Sequence, residues 1–414
     1  MSATIRIDDL ASPRLTDMQM AAMAAAPKVN LNTDAVLDAA RAATGLSDFG
    51  ADDFRARLDI WLQSFAEDKG LNNLGRANLF ADCVRQACTR LKFEDAWKHH
   101  PEIADIVIDR PIMIAGLPRS GTTHLVNLLA ADDRLRSMTL WESMAPVSDI
   151  IPPPDPEVDP RRLSCKEMWG GFEALLPFMP AMHEMDPDGV HEDVELLGPD
   201  FSGYLTEWVS RPYKWRDWYL THDQTPHYAY AKRLLQYMTW TRGPNRWVMK
   251  SPPHMENFGA LTSVYPDATT IITHRDPLAV LQSAITMIAY GDRIRRHMDR
   301  AQIEELATYW IDRIEALLRR CVAERDVLPK ALDVRFDDYM ADQMGVIEQV
   351  YALADLDLTP AAHARIQAYL DANPRGKHGR VAYDLAGDFG VDIDKTRERF
   401  GFYYERFGVA VEVL

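Results

Sequence analysis

The sequence predicts an α/β protein: a parallel sheet flanked by helices, preceded by a helical N-terminal region. Three observations carry that prediction. From Pro111 to Ala131 an apolar run, a loop with Gly116 and Gly121, and the start of an apolar helix follow one another. The second half of the chain repeats strand, loop and helix, the rhythm of a parallel sheet covered on both faces. Residues 1 to about 100 instead place apolar residues at spacings of three and four, the period of helices.

The elements follow in order. Leu31–Ala43, Ala51–Ala66 and Leu71–Ala96 read as helices broken by Gly45, Gly50 and Gly70, with Asn32, Asp34, Asp52 and Asp53 at expected N-cap places. They suggest a lid or packing layer set before the first sheet strand. Ile112–Ala115 is that strand. Leu140-Trp141-Glu142-Ser143 follows, then Pro152-Pro153-Pro154 and Pro156, which mark a loop or hinge because apolar segments resume at once. Between Cys165 and Tyr219, Met and aromatic residues crowd together, among them Met168, Trp169, Phe172, Met179, Met182, Trp208 and Trp215. Core packing explains most of such a stripe, and an apolar ligand pocket is the other reading. Helical patterning returns at Tyr228–Thr241. Trp247–Met249, Ala268–Thr273 and Leu332–Phe336 read as strands; helices are expected at Leu278–Ala289, Met298–Glu324, Met340–Leu353 and Pro360–Ala372.

The chain has 414 residues, of which 47% are apolar and 26% charged, enough for a substantial core. A net charge of −16 argues against nonspecific nucleic-acid binding and against an anionic membrane surface as the main partner. Any anionic ligand must then meet local cations. The 4 cysteines form no C-x-x-C pair, so neither a disulfide framework nor a zinc site is indicated, and a cytoplasmic location is the expectation. Met18–Ala26 is too short and too acidic in its approach for a secretion signal, and no apolar run is long enough for a membrane span.

Chemistry concentrates in three loops. Gly116 to Gly121 has the spacing of the phosphate-binding pattern G-x-x-x-x-G-K-[ST], a P-loop-like arrangement. Thr122 and Thr123 stand where Lys and its partner should be, and the cation lies inside the loop at Arg119. The glycines allow positive φ and close backbone approach, while Ser120, Thr122 and Thr123 add hydroxyls to the N–H array. His274-Arg275-Asp276-Pro277 is followed by Ser283, so an Arg at a strand end and a Ser on the next helix can converge on one phosphate. Asn373–Arg380 is a glycine-spaced basic loop holding Arg375, Lys377, Gly379 and Arg380. A solvated charge run is an equal reading of that loop taken alone. Together the three suggest a ligand with more than one phosphate-like group.

At these residues the sequence resembles the sulfotransferases that use 3′-phosphoadenosine 5′-phosphosulfate (PAPS). Pro118-Arg119-Ser120-Gly121-Thr122-Thr123 is similar to their phosphosulfate loop P-[KR]-S-G-T-T, and Arg275 with Ser283 to their 3′-phosphate pair. Their C-terminal loop is matched loosely by Arg375–Arg380. The Arg at 119 is like tyrosylprotein and many bacterial, especially actinobacterial, members. The resemblance runs from residue 111 onward and divides the chain into a helical N-terminal region (1–105) and a PAPS-binding region (106–414).

The resemblance implies sulfuryl transfer to a hydroxyl, with PAPS as cosubstrate and no metal. Arg119 would hold the phosphosulfate, Lys250 at a strand end would meet the transferring group, and His124 would lie near the adenine. For the base it offers Glu142 first and His254 second; Glu192, in His191-Glu192-Asp193 just before an apolar run, is the third candidate from the residues themselves, with a helix N-cap as its alternative role. The expected acceptor is a small molecule or lipid, partly apolar, such as a lipid, glycolipid or phenol. A P-loop kinase and a nucleotide- or lipid-binding module without turnover are the competing readings.

Overall fold

The computed structural model describes residues 4–373 and 380–414. Lys377 and Gly379, and with them most of the basic loop, lie outside the described residues.

After a short strand β1 (Thr4–Arg6), helices α1 (Asp17–Ala25), α2 (Thr33–Thr44), α3 (Phe54–Glu67) and α4 (Asn73–His99) form the N-terminal region. Their starts are set by side chains that accept from otherwise unpaired N–H groups. Asn32 accepts from Ala35 N, Asn72 from Gly75 N, and Thr16 forms a capping box with Gln19. Asp53 does not cap α3 in this way; its carboxylate pairs with Arg57 at 2.7 Å.

The central sheet has five parallel strands, β2 (Ile112–Gly116), β3 (Leu135–Arg136), β4 (Arg246–Ser251), β5 (Thr269–His274) and β6 (Ala331–Arg335), in the order β3-β4-β2-β5-β6. Between them lie α5 (Thr122–Ala130), α6 (Leu140–Met144), α7 (Pro160–Leu175), α8 (Met179–Met182), α9 (Tyr213–Thr221), α10 (Thr225–Arg242), α11 (Phe258–Val264), α12 (Pro277–Arg295) and α13 (Arg300–Glu324). After β6 come α14 (Phe336–Ala341), α15 (Gln343–Leu353), α16 (Pro360–Ala372), strand β7 (Arg380–Ala382), α17 (Leu385–Phe389), α18 (Ile393–Arg399) and α19 (Gly401–Phe407). The single helix expected over Met340–Leu353 is thus two, split at Asp342, whose carboxylate caps α15 by accepting from Gly345 N.

Both sheet faces are covered, which is why the central strands read as unbroken apolar runs. Ile112, Ile114, Val248 and Ile271 pack one face against Leu125, Val126 and Leu129 of α5 and Ile347 of α15. Met113, Ala115, Trp247, Met249 and Ile272 belong to the opposite core, which continues without a break into Leu37, Leu58, Trp61, Leu79 and Leu91 of the N-terminal helices. Buried charges join the same layers. Asp200 receives Arg57 of α3 at 2.5 Å, Arg90 of α4 at 2.8 Å and His227 at 2.6 Å. Removing Asp200 would leave two buried guanidinium groups short of a partner, a loss of about 3–5 kcal/mol.

Strand order fixes where a ligand can sit. The chain leaves β2 toward the β3 edge and leaves β5 toward the β6 edge, so a crevice opens between their carboxyl ends. Two small features escape the sequence pattern: β3 has only two residues, and β1 pairs in parallel with β7, Thr4 beside Arg380.

Candidate active site

The loop after β2 is built around a backbone that no larger residue could follow. A Cβ on Gly116 would stand 2.0 Å from Thr273 Oγ1 and 2.6 Å from Thr122 Cγ2. Gly116 is therefore required for space and not for positive φ; the left-handed residues are Arg119 (φ 68°) and Gly121 (φ 90°). Ser120 also departs from its expected role. Its hydroxyl donates to Leu117 O at 2.6 Å and lies 2.7 Å from Thr273 Oγ1, so it locks the loop to β5 instead of facing a ligand. α5 starts at Thr122 with no side-chain cap, which leaves its first N–H groups for an anion.

The cations of this crevice hold internal partners. Arg119 Nε donates to Ser283 Oγ at 3.0 Å, and Ser283 Oγ donates to Tyr383 Oη at 3.2 Å. Burial, then the nearby Arg275, lowers the pKa of Arg119. Arg275 follows β5; its Nη1 donates to Arg119 O at 2.6 Å, while Nε and Nη2 grip the Glu412 carboxylate at 2.7 and 2.8 Å. Its guanidinium lies over the Phe336 ring, 4.0 Å from the centroid. Lys250 ends its run on β4 with its side chain 2% exposed, paired with Glu192 and 3.3 Å from Thr123 Oγ1.

A cavity of about 860 Å³ joins Arg119 and Arg275 to an apolar arm; Lys250 and Ser283 stand behind its wall and not on it. Arg119, Gly121, Thr122, Thr123, His124, Glu192 and Arg275 line one end, with Phe336 and Tyr339 beside them. Burial lowers the pKa of the His124 imidazole, and its Nδ1 lies 2.6 Å from Tyr339 Oη. The far arm is walled by Met144, Trp169, Phe172, Leu205, Trp208 and Met287. One face of α4 closes that arm with Asn78, Leu79, Asp82 and Arg85, the latter three spaced by three residues along the helix. The N-terminal region thus supplies part of the wall.

The base candidates separate cleanly. Glu142 is not on the cavity wall: it completes the capping box of α6, taking Thr139 N at 3.3 Å, and lies 3.4 Å from Arg136. His254 is also off the wall, buried between Tyr228 Oη at 2.9 Å and Asp193 at 3.1 Å. Glu192 is on the wall, beside Lys250. Arg380 opens β7, is exposed, and does not reach the cavity. Sequence reasoning passed over His183, which lines the cavity and is pushed down to about 3 by burial, then by Arg119 and Lys250. His191 is held low by burial, Lys250 and His183. The available signal was two histidines, each followed by Glu, around one short acidic turn. Tyr383 and Glu412 carried no sequence signal at all.

Among the described residues no cluster of His, Cys, Asp and Glu is placed to hold a metal, and no helix is long and apolar enough to cross a membrane. A parallel sheet with cations gathered at its switch point is a frame suited to an anionic ligand. Comparison with known proteins narrows the class. The sequence model of the sulfotransferase family matches residues 111–360, and the chain belongs to that family. The omega-hydroxy-beta-dihydromenaquinone-9 sulfotransferase Stf3 of Mycobacterium bovis is 24% identical over 315 residues, 73% of this chain and 76% of its own. The crystal structure of sulfotransferase STF9 from Mycobacterium avium is similar with a TM-score of 0.82 at 26% identity, covering 93% of this chain and 99% of its own. Sulfotransferase STF1 from Mycobacterium tuberculosis gives 0.77 at 27% identity, over 89% and 98%. The chain is therefore an enzyme, a sulfotransferase, rather than a kinase or a binding module, and the family implies PAPS as its donor.

Proposed function

We propose that this enzyme moves a sulfuryl group from PAPS to the hydroxyl of a partly apolar, lipid-like acceptor. The observation that carries the reading is the continuity of one cavity, from the cations beside the β2 loop to the Met- and Trp-walled arm. Stf3, whose name describes a menaquinone-derived acceptor, gives that reading a precedent among its relatives.

The donor would lie across the switch point, its 5′-phosphosulfate against Arg119, Thr122, Thr123 and the first N–H groups of α5. Its 3′-phosphate would meet Arg275 and Ser283, and its adenine the wall of His124, Phe336 and Tyr339. Transfer breaks the bond from sulfur to the bridging phosphate oxygen and forms a bond from sulfur to the acceptor oxygen. The electron pair of the broken bond leaves on 3′-phosphoadenosine 5′-phosphate (PAP), where Arg119 offsets the new charge. Lys250 attends the transferring group. Glu192, the base candidate on the wall, takes the acceptor's proton as Lys250 turns from it toward the sulfuryl oxygens. Glu142 and His254, each engaged by partners off the cavity wall, are read as structural. The N-terminal region (1–105) is read as a packed layer that completes the acceptor arm, and the four free cysteines fit a reducing, cytoplasmic setting.

Transfer of label from PAPS to a panel of isoprenoid or long-chain alcohols, phenols and sugars tests the acceptor, with the apolar alcohols or phenols expected to score. Activity confined to small sugars would overturn the apolar assignment. Titration with PAP tests the donor site, and absence of saturable binding would remove it.

A further inference from the structure

We propose that Glu412 is a built-in competitor for the donor's 3′-phosphate and sets how tightly donor and product are held. The inference rests on the reading of Arg275 as the 3′-phosphate contact. A guanidinium offers an anion two forks, Nε with Nη2 and Nη1 with Nη2, and here Glu412 takes the first at 2.7 and 2.8 Å. Nη1 is committed to Arg119 O at 2.6 Å. A phosphate therefore gains the Nε/Nη2 fork of Arg275 only by displacing the carboxylate.

The segment bearing Glu412 is held in a way that allows this exchange. α19 ends at Gly408, which adopts φ 61°, and the chain beyond has no regular structure. Val409 is buried, whereas Val411, Val413 and Leu414 are exposed. Glu412 adds one backbone bond, from its N–H to Asp276 Oδ2 at 2.8 Å. Asp276 has a second oxygen, Oδ1, that takes Leu278 N at 2.8 Å and the Tyr404 hydroxyl at 2.6 Å. Release of the tail thus leaves the cap of α12 intact. The cost of displacement falls on the 3′-phosphate alone and applies to PAPS and PAP alike. It weakens the product's hold on the same arginine that secures the donor, and so favours turnover.

The test is calorimetric titration of PAP, and of adenosine 5′-phosphosulfate, which lacks the 3′-phosphate. Glu412→Gln is expected to tighten PAP about three- to tenfold, the range of a half-exposed charge-assisted pair. Adenosine 5′-phosphosulfate should be unchanged, and the gain should vanish in Arg275→Ala. If Glu412→Gln leaves PAP affinity unchanged or weakens it while Arg275→Ala still costs binding, the competition is overturned and the donor site stands. If Arg275→Ala leaves PAP affinity untouched, the reading of Arg275 itself fails.

Discussion

The two arms of the cavity are held in opposite ways. At the proposed donor end every named cation is fixed by another group of the protein: Arg119 by Ser283, Arg275 by Glu412 and Arg119 O, Lys250 by Glu192. At the proposed acceptor end Met144, Trp169, Phe172, Leu205, Trp208 and Met287, side chains that fill space more than they define direction, make most of the wall, with Asn78, Asp82 and Arg85 of α4 as its polar part. α7, which supplies Trp169 and Phe172, has only Cys165 buried along its length. Polar groups set in advance suit a donor of fixed chemistry, and loosely seated apolar groups suit an acceptor whose shape varies.

The largest effect should come from the donor arm. Lys250→Met is expected to lower kcat on the order of 10²–10³-fold, the size seen when a transition-state contact is removed. Initial rates against PAP affinity check it, since binding should change far less than kcat. Gly116→Ala should follow: the added methyl meets Thr273 Oγ1 and Thr122 at forbidden distance, costing about 1–3 kcal/mol of stability and weakening PAP binding. Thermal unfolding with and without PAP reads both. If neither moved, the rigidity claimed for this arm would be lost.

The acceptor arm should respond in KM. Trp208→Ala removes a wall group, and a rise of roughly 10–100-fold in acceptor KM is expected with PAP affinity unaltered. A subtler probe sits between the arms at His183, whose pKa is held near 3 by burial, Arg119 and Lys250. An anionic ligand arriving beside those cations offsets their field and raises this pKa, while burial still holds it down, so binding should take up protons only in the acidic window just above pH about 3. Calorimetry in buffers of different ionisation enthalpy should detect this uptake, and His183→Asn should remove it. The smallest effect belongs to Gly170→Ala and Gly171→Ala in α7. Nothing lies within 4 Å of either added Cβ, so each should stiffen the helix by about 0.5–1 kcal/mol and alter acceptor KM alone.

The donor arm was also the more legible in sequence, and for the same reason that it is rigid. Strand, glycine loop and helix are contiguous from Pro111 to Ala131, and Arg275 and Ser283 lie on one strand–helix unit, so local spacing carried the geometry. Even there a spacing argument could not tell that Gly116 is needed for room, or that Ser120 turns inward to Thr273. The acceptor arm is assembled from α4, α7 and the segment around Trp208, parts far apart in the chain, and composition alone could only offer a crowded stripe. Local sequence does not show which way the carboxylate of Glu142 or the ring of His254 points. The structure gives each a partner away from the cavity.

The small pairing of β1 with β7 gives the site an unsuspected handle. Arg6 grips Asp388 at 2.5 and 2.6 Å, and β7 is followed at once by Tyr383, which meets Ser283. β1 is therefore tied, through β7, to the tyrosine that meets Ser283, and so to the proposed donor crevice. A bulky label or fusion partner set against Thr4 would strain that tie, and its first symptom would be slack nucleotide binding in a protein whose core remained sound.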